Sequence, residues 1–417
     1  MNEVRRNESD EERSRRRRQR IEEMKRQKRR AELLQRSVIP AAALVILILA
    51  VVGICNLVRG NEREPSPETE MQDQMAKSIG RKTENLGPGN SVGADEDSDC
   101  EDGVQESGVQ GDGGQEGKVR QPEEVYGPFL PEESEPPAFA AESTSVTAGF
   151  SDSVISEYGV MIDVENGTIL AQKGGSSRIN PASMTKILTV LTAADALGIG
   201  GEDWDSLPVL EDKFVITIEI TDYSFIHGCS NVGFDVGEEV TVRDLFYGTI
   251  LSSGADAALG LAYYVAGSQE AFVELMNQKL EELGLSDSTH FTNCVGLYDE
   301  DHYSTVYDIA VILKTAADNP FCRDVLSARK HLIPPTVQHE EGLLISNLFL
   351  RRIEDKDTHG EVICAKTGYV NESKNCAASL GADINGKEYI CVTAGSSSNW
   401  RCIYDHVELY QTWLTGE

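Results

Sequence analysis

The 417-residue chain has few of the residue patterns on which several large classes of protein depend. No two of its nine cysteines form a CxxC pair, which disfavours a zinc or dithiol redox site. Its seven histidines include no HExxH and no close pair, so a zinc peptidase is disfavoured as well. Nucleotide-binding glycine loops and haem motifs are missing, and no cofactor is expected. Basic side chains are also scarce: 38 Lys+Arg stand against 69 Asp+Glu, a formal net charge of −31. A surface of that sign repels phosphates, which argues against nucleic acid as a partner.

The charge is unevenly spread. Residues 1–37 carry a net +6, residues 60–150 a net −15 and residues 151–417 a net −23. Between the basic tail and the acidic remainder lies Val38 to Val58, 21 residues without a charge. At 1.5 Å per residue this run spans about 31 Å, the thickness of a bilayer core, and is expected to be a transmembrane anchor. A cleaved signal peptide would have a shorter apolar region and a small-x-small site, and Ile54, Cys55, Asn56 and Arg59 offer neither. Arg15 to Arg18, Arg20, Lys25, Arg26 and Lys28 to Arg30 crowd one flank, so that flank is expected inside the cell and the bulk of the chain outside.

From Arg59 to Phe150 the sequence has turn formers and acids but no sustained apolar periodicity. Such a segment buries too little apolar area to offset its chain entropy and is expected to be a disordered linker. Its 92 residues would average about 50–60 Å end to end. Cys55 and Cys100 fall in these outer segments. Cys229, Cys294, Cys322, Cys364, Cys376, Cys391 and Cys402 remain for the folded part, where several are expected to be small core hydrophobes.

Residues 151–417 are long enough to bury a sizeable core. Glu157 to Asp163 and Gly167 to Gln172 read as two strands across an Asn166-Gly167 turn. Cys376 to Ala382 and Glu388 to Gly395 repeat the pattern across Asn385-Gly386. Between the hairpins helical periodicity dominates, as in Phe272, Leu275, Met276, Leu280 and Leu283 before Gly284, and a last helix is expected over Ile403 to Leu414. Strands at both ends with helices between them predict an α+β domain whose antiparallel sheet combines N- and C-terminal strands.

Into this frame falls Pro181-Ala182-Ser183-Met184-Thr185-Lys186, leading into an apolar helical run. Proline suits a helix start, and a spacing of three puts Ser183 and Lys186 on one face. A hydroxyl beside an amine can be a nucleophile with its own base. Two further elements follow in order: Ser253-Gly254-Ala255-Asp256, 70 residues after Ser183, and Lys366-Thr367-Gly368, 113 residues beyond Ser253 on a strand-like run. An SxxK, a Ser-x-Asn-type element and a KTG are the motif set of penicillin-binding proteins and class A β-lactamases.

With these motifs the chain resembles the low-molecular-mass penicillin-binding proteins that are serine-type D-Ala-D-Ala carboxypeptidases. The resemblance covers about residues 157–414 and includes Arg178 to Lys186, Gly237 to Gly248, Met276-Asn277, Thr289 to Asn293, Gly296-Leu297 and His302 to Thr305. It implies a serine β-lactamase/transpeptidase-like fold and acyl transfer through an ester on Ser183, with Lys186 as general base and Ser253 as proton relay. Lys366, Thr367, Gly368 and Tyr369 would bind substrate, the oxyanion being held by the backbone N–H groups of Ser183 and Tyr369. The implied partners are peptidoglycan stem peptides ending in D-Ala-D-Ala, with β-lactams as inhibitors, at a bacterial membrane.

Ala255 departs from the family, which usually has Asn there, and a methyl group can neither donate nor accept a hydrogen bond. This leaves open a penicillin-binding or wall-binding homologue with weak or no turnover. A β-lactamase shares the motifs, but class A enzymes add a deacylating glutamate whose loop has no convincing counterpart here. Among the histidines, His302 is the best functional candidate.

Overall fold

The computed structural model describes residues 139–416. The expected basic tail (1–37), the anchor (38–58) and most of the linker lie outside the described residues. Among the described residues no helix is long and apolar enough to cross a membrane.

Among the described residues ten strands and nine α-helices follow in chain order. Strands β1 (Glu142–Ala148), β2 (Tyr158–Asp163) and β3 (Thr168–Lys173) lead to helix α1 (Thr185–Ala196). Then come β4 (Lys213–Val215), α2 (Ile218–Ile226), β5 (Glu239–Thr241), α3 (Val242–Leu251), α4 (Ala255–Ala266), α5 (Gln269–Glu282), α6 (Val306–Asp318) and α7 (Pro320–Ser327). The chain ends with β6 (Lys330–Ile333), β7 (Leu343–Ser346), α8 (Leu348–Ile353), β8 (Gly360–Val370), β9 (Lys374–Asp383), β10 (Glu388–Ser396) and α9 (Asn399–Trp413).

The main sheet has the order β1-β3-β2-β10-β9-β8, so strands from the two ends of the domain meet at β2 and β10, as expected. Both expected hairpins form. Gly167 and Gly386 take positive φ, 57° and 84°, and the Asn166 amide bonds the Asp163 carboxylate at 2.7 Å.

Two expectations are corrected at the sheet's N-terminal edge. Residues 142–148, assigned to the linker, form β1, and β1 runs parallel to β3 while the other pairs are antiparallel. This strand is mostly exposed and carries no apolar stripe, so a reading based on core formation passes over it. Backbone pairing holds it, together with hydrogen bonds from Thr147 Oγ1 to Ile169 O (2.6 Å) and from Ala141 N to the Tyr307 hydroxyl (3.0 Å).

Both faces of the sheet are covered. Val160, Ile162, Ala378, Leu380, Ile390 and Val392 point into the large core with α1 and α3 to α7. Met161, Ala377, Tyr389 and Cys391, one residue out of phase, pack with Phe349, Ile403 and Tyr410 of α8 and α9. All seven cysteines of the domain are free and all but Cys229 are buried, acting as core hydrophobes as expected.

Candidate active site

Ser183 lies in a short 3-10 turn, Ala182–Met184, immediately before α1. The residue ahead of it, Ala182, is held at φ 46°, a left-handed conformation that only a well-braced backbone sustains. The brace is the Arg178–Asn180 segment. Ile179 exchanges both backbone hydrogen bonds with Ser304 (2.8 and 3.0 Å). The Arg178 guanidinium lies 3.3 Å from the centre of the Tyr303 ring, and the Asn180 side-chain Oδ1 accepts from Ala182 N at 2.9 Å.

One helical turn on, Lys186 is buried and its Nζ donates to Ser183 Oγ at 3.1 Å and to the backbone carbonyl of Val295 at 2.5 Å. Burial removes the hydration that stabilises the ammonium and pushes its pKa from the usual 10.5 down to about 8. A base in that range has an appreciable neutral fraction near neutral pH, which proton abstraction from serine requires.

Ser253 sits at the corner between α3 and α4, again at positive φ (55°). Its hydroxyl accepts from Lys366 Nζ at 2.8 Å. Lys366 also donates to Thr367 O at 2.8 Å, and its pKa lies well below the usual lysine value, mainly through burial and next through the neighbouring charge of Lys186. The charge of Lys186 thus disfavours the ammonium form of Lys366 in the free site.

Lys366 reaches this position through an irregularity in β8. Val362 pairs with Gly381 and Cys364 with Leu380, so Ile363 is an extra residue in the ladder. Since side chains alternate, one added residue reverses which face every later side chain meets. Val362 packs with the α8/α9 core, whereas Cys364 and then Lys366 turn to the α1 side. Gly368 completes the approach: a Cβ there would lie 2.9 Å from Ser183 N and 2.8 Å from Cys376 Sγ. Thr367 and Tyr369 are exposed on the same strand.

Together Ser183, Lys186, Ser253, Lys366, Thr367, Gly368 and Tyr369 line one cavity of about 900 Å³. Every residue predicted for the site is thus brought to it. Ala255 is fully buried at the start of α4. The lysines and hydroxyls supply the polar chemistry around Ser183, without the amide usual at position 255.

His302 serves the site from behind. Its Nδ1 accepts from Thr292 N (3.1 Å), so the Nε2 hydrogen is directed to Thr185 Oγ1 (2.9 Å), and its ring stacks on Phe291. Burial depresses its pKa to about 3, keeping it neutral. Two other contributors escape motif reading. The Val295 carbonyl is a backbone group with no side-chain signature, and Asp256 accepts four backbone N–H bonds, three of them from Val232 to Phe234 beside the cavity. Asp256 could have been found as the acid that directly follows Ala255.

A serine hydrogen-bonded to a lysine one turn away, faced by a second lysine on a sheet edge, is the arrangement of the penicillin-recognising serine fold. The chain belongs to the D-alanyl-D-alanine carboxypeptidase family, whose sequence model matches residues 143–398. It is 30% identical over 263 residues to the D-alanyl-D-alanine carboxypeptidase DacF of Bacillus subtilis, covering 63% of this chain and 62% of that protein. It is 36% identical over 180 residues to DacC of Escherichia coli, covering 43% of this chain and 42% of that one. The chain thus spans less than two thirds of either relative. The crystal structure of the Streptomyces K15 DD-transpeptidase superposes with a TM-score of 0.55 at 26% identity, covering 62% of this chain and 97% of the other.

Proposed function

We propose that the protein is a membrane-anchored serine-type D-alanyl-D-alanine carboxypeptidase that trims the terminal D-Ala from peptidoglycan stem peptides. The observation that carries this is the Ser183–Lys186 hydrogen bond at 3.1 Å in a cavity with Lys366 opposite. Ser183 Oγ attacks the penultimate D-Ala carbonyl as its proton passes to Lys186. The peptide C–N bond then breaks and the leaving amine takes a proton, giving an ester that water hydrolyses. Ser253 Oγ accepts from Lys366, which leaves its own hydrogen to pass to that amine, the proton held by Lys186 then restoring the Ser253 hydroxyl and freeing the base. The substrate carboxylate, entering at Lys366 and Thr367, favours the Lys366 ammonium, and that charge in turn favours neutral Lys186. Substrate binding thereby readies the base.

The backbone N–H groups of Ser183 and Tyr369 are the oxyanion donors of this reading, supported by the close approach of Gly368 to Ser183 N. The uncharged Val38–Val58 run and the basic residues before it support a single-pass anchor with the N-terminus cytoplasmic and the catalytic domain outside.

Membranes holding the full-length chain are to be treated with a fluorescent penicillin and with a diacyl-tripeptide ending in D-Ala-D-Ala. Expected are a long-lived adduct on the peptide containing Ser183 and release of D-Ala. An adduct without release would favour the binding-only reading that Ala255 raises, rapid loss of the adduct a β-lactamase, and neither signal would overturn the proposal. The anchor is checked by alkaline carbonate washing, which should free the chain only when residues 38–58 are deleted.

A further inference from the structure

The Val295 carbonyl accepts from Lys186 Nζ at 2.5 Å, and its direction needs a brace. Val295 belongs to the loop 293–297 between α5 and α6, and loop carbonyls have no helical or sheet partner to fix their direction. Here the direction is set by the buried side chain of Asn293. Its Oδ1 accepts from three successive backbone N–H groups, Val295 (3.2 Å), Gly296 (2.7 Å) and Leu297 (3.0 Å), while Nδ2 donates to Leu297 O (3.1 Å). An amide making four bonds to one five-residue loop leaves that loop little freedom. The loop then grips both members of the catalytic pair. Lys186 Nζ donates to Val295 O and Thr189, three residues further along α1, donates to Cys294 O at 2.7 Å. Gly296 (φ 82°) lies against the peptide joining Ala182 to Ser183, where a Cβ would come within 2.0 Å of Ala182 O.

We propose that Asn293 is a positioning residue for catalysis: by shaping the loop 293–297 it holds the Lys186 amine dry and aligned on Ser183. The inference rests on the acyl-transfer reading but is tested apart from it. The groups acting electrostatically around Lys186 come from several elements: Asp256 of α4, Cys229 after α2, Cys294 of the loop itself, Lys366 of β8 and His302. Of these only His302 touches the Asn293 side chain, its Nδ1 lying 3.4 Å from Nδ2, and none bonds the Oδ1 that organises the loop. Replacing Asn293 therefore alters the water around Lys186 while leaving those groups in the sequence. Since burial is the main cause of the lowered pKa, letting water in raises it.

The test compares wild type, Asn293→Ala and Asn277→Ala in the full-length protein. Asn277 is the control because it pins the start of the same segment, bonding both N and O of Phe291 (3.0 and 2.8 Å), without bonding the loop 293–297. Competitive amine labelling of Lys186 across pH, read by mass spectrometry, gives its titration midpoint whether or not the protein turns over. Acylation by fluorescent penicillin across pH gives the acid limb of the reaction, and thermal melting reports stability.

Asn293→Ala is expected to raise the Lys186 midpoint and the acid limb together by about one pH unit, roughly a tenfold loss of neutral amine below the midpoint. Asn277→Ala is expected to lower the melting temperature with both pH values unmoved. A Lys186 midpoint unchanged in Asn293→Ala, or moved equally in Asn277→Ala, overturns the proposal. If wild type is not acylated although the midpoint shift appears only in Asn293→Ala, the acyl-transfer reading fails and the positioning role stands.

Discussion

Lys186 is almost completely enclosed, and its amine is pushed down to about 8 by that enclosure. The displaced pKa has a consequence for stability whose sign can be worked out. Between pH 8 and 10.5 the unfolded chain binds a proton at this lysine that the folded chain has released, so folding becomes more favourable as pH rises through that window. Below pH 8 the full penalty is present, on the order of 3 kcal/mol. Lys186→Met should therefore melt above wild type at pH 7, and the gap should close as the pH approaches 10.5. The same variant should lose about 10²- to 10⁴-fold in acylation rate, the usual contribution of a general base. Acylation of wild type should rise with pH through about 8.

Gly368 makes a different demand at the same scale. Any Cβ there meets the Ser183 amide and Cys376. Gly368→Ala should push β8 away from the nucleophile, and displacements of about 1 Å cost roughly 100-fold in rate. Stopped-flow acylation would measure the loss, and a rate within twofold of wild type would contradict it.

At the scale of elements, the site depends on corners and irregularities more than on the helices and strands they join. Ser253 occupies a left-handed conformation at the turn between α3 and α4, costing roughly 1–2 kcal/mol for a residue with a Cβ. The strain leads to a paired prediction. Ser253→Gly should be more stable than Ser253→Ala by about 1 kcal/mol in denaturant unfolding, because glycine relaxes the backbone, whereas both should lose the hydroxyl relay and acylate slowly. Equal stabilities would mean that the corner is not strained.

The hairpins, the helix ended by Gly284 and the closing helix were all readable from Asn-Gly turns and apolar periodicity, because each is determined by residues close in sequence. Strand β1 was not, since nothing in its polar side chains announces a partner. The extra residue at Ile363 was not either: an apolar residue within an apolar strand reads the same whether or not it is paired. Yet that residue decides which face of the sheet Lys366 meets.

For the molecule as a whole, the net −23 of residues 151–417 bears on where the protein can rest. On an anionic wall polymer such a surface is repelled at low salt and less so as counterions screen it. The fraction of purified protein that sediments with isolated wall should accordingly rise with ionic strength. A fraction that falls would show that cationic patches dominate contact.

The sequence by itself marked Ser183, Lys186 and the two later motifs, together with both hairpins and the helical stretch between them, because local chemistry and short spacings suffice for those. Only the tertiary structure decided how they act on one another. The approach of Lys366 to Ser253, the contact of Gly368 with Ser183 and the grip of the loop 293–297 on Lys186 all join residues from about 110 to nearly 190 positions apart. The depressed lysine pKa belongs to the same group of facts. Desolvation is a property of the surroundings in three dimensions, and no residue carries it in its own identity.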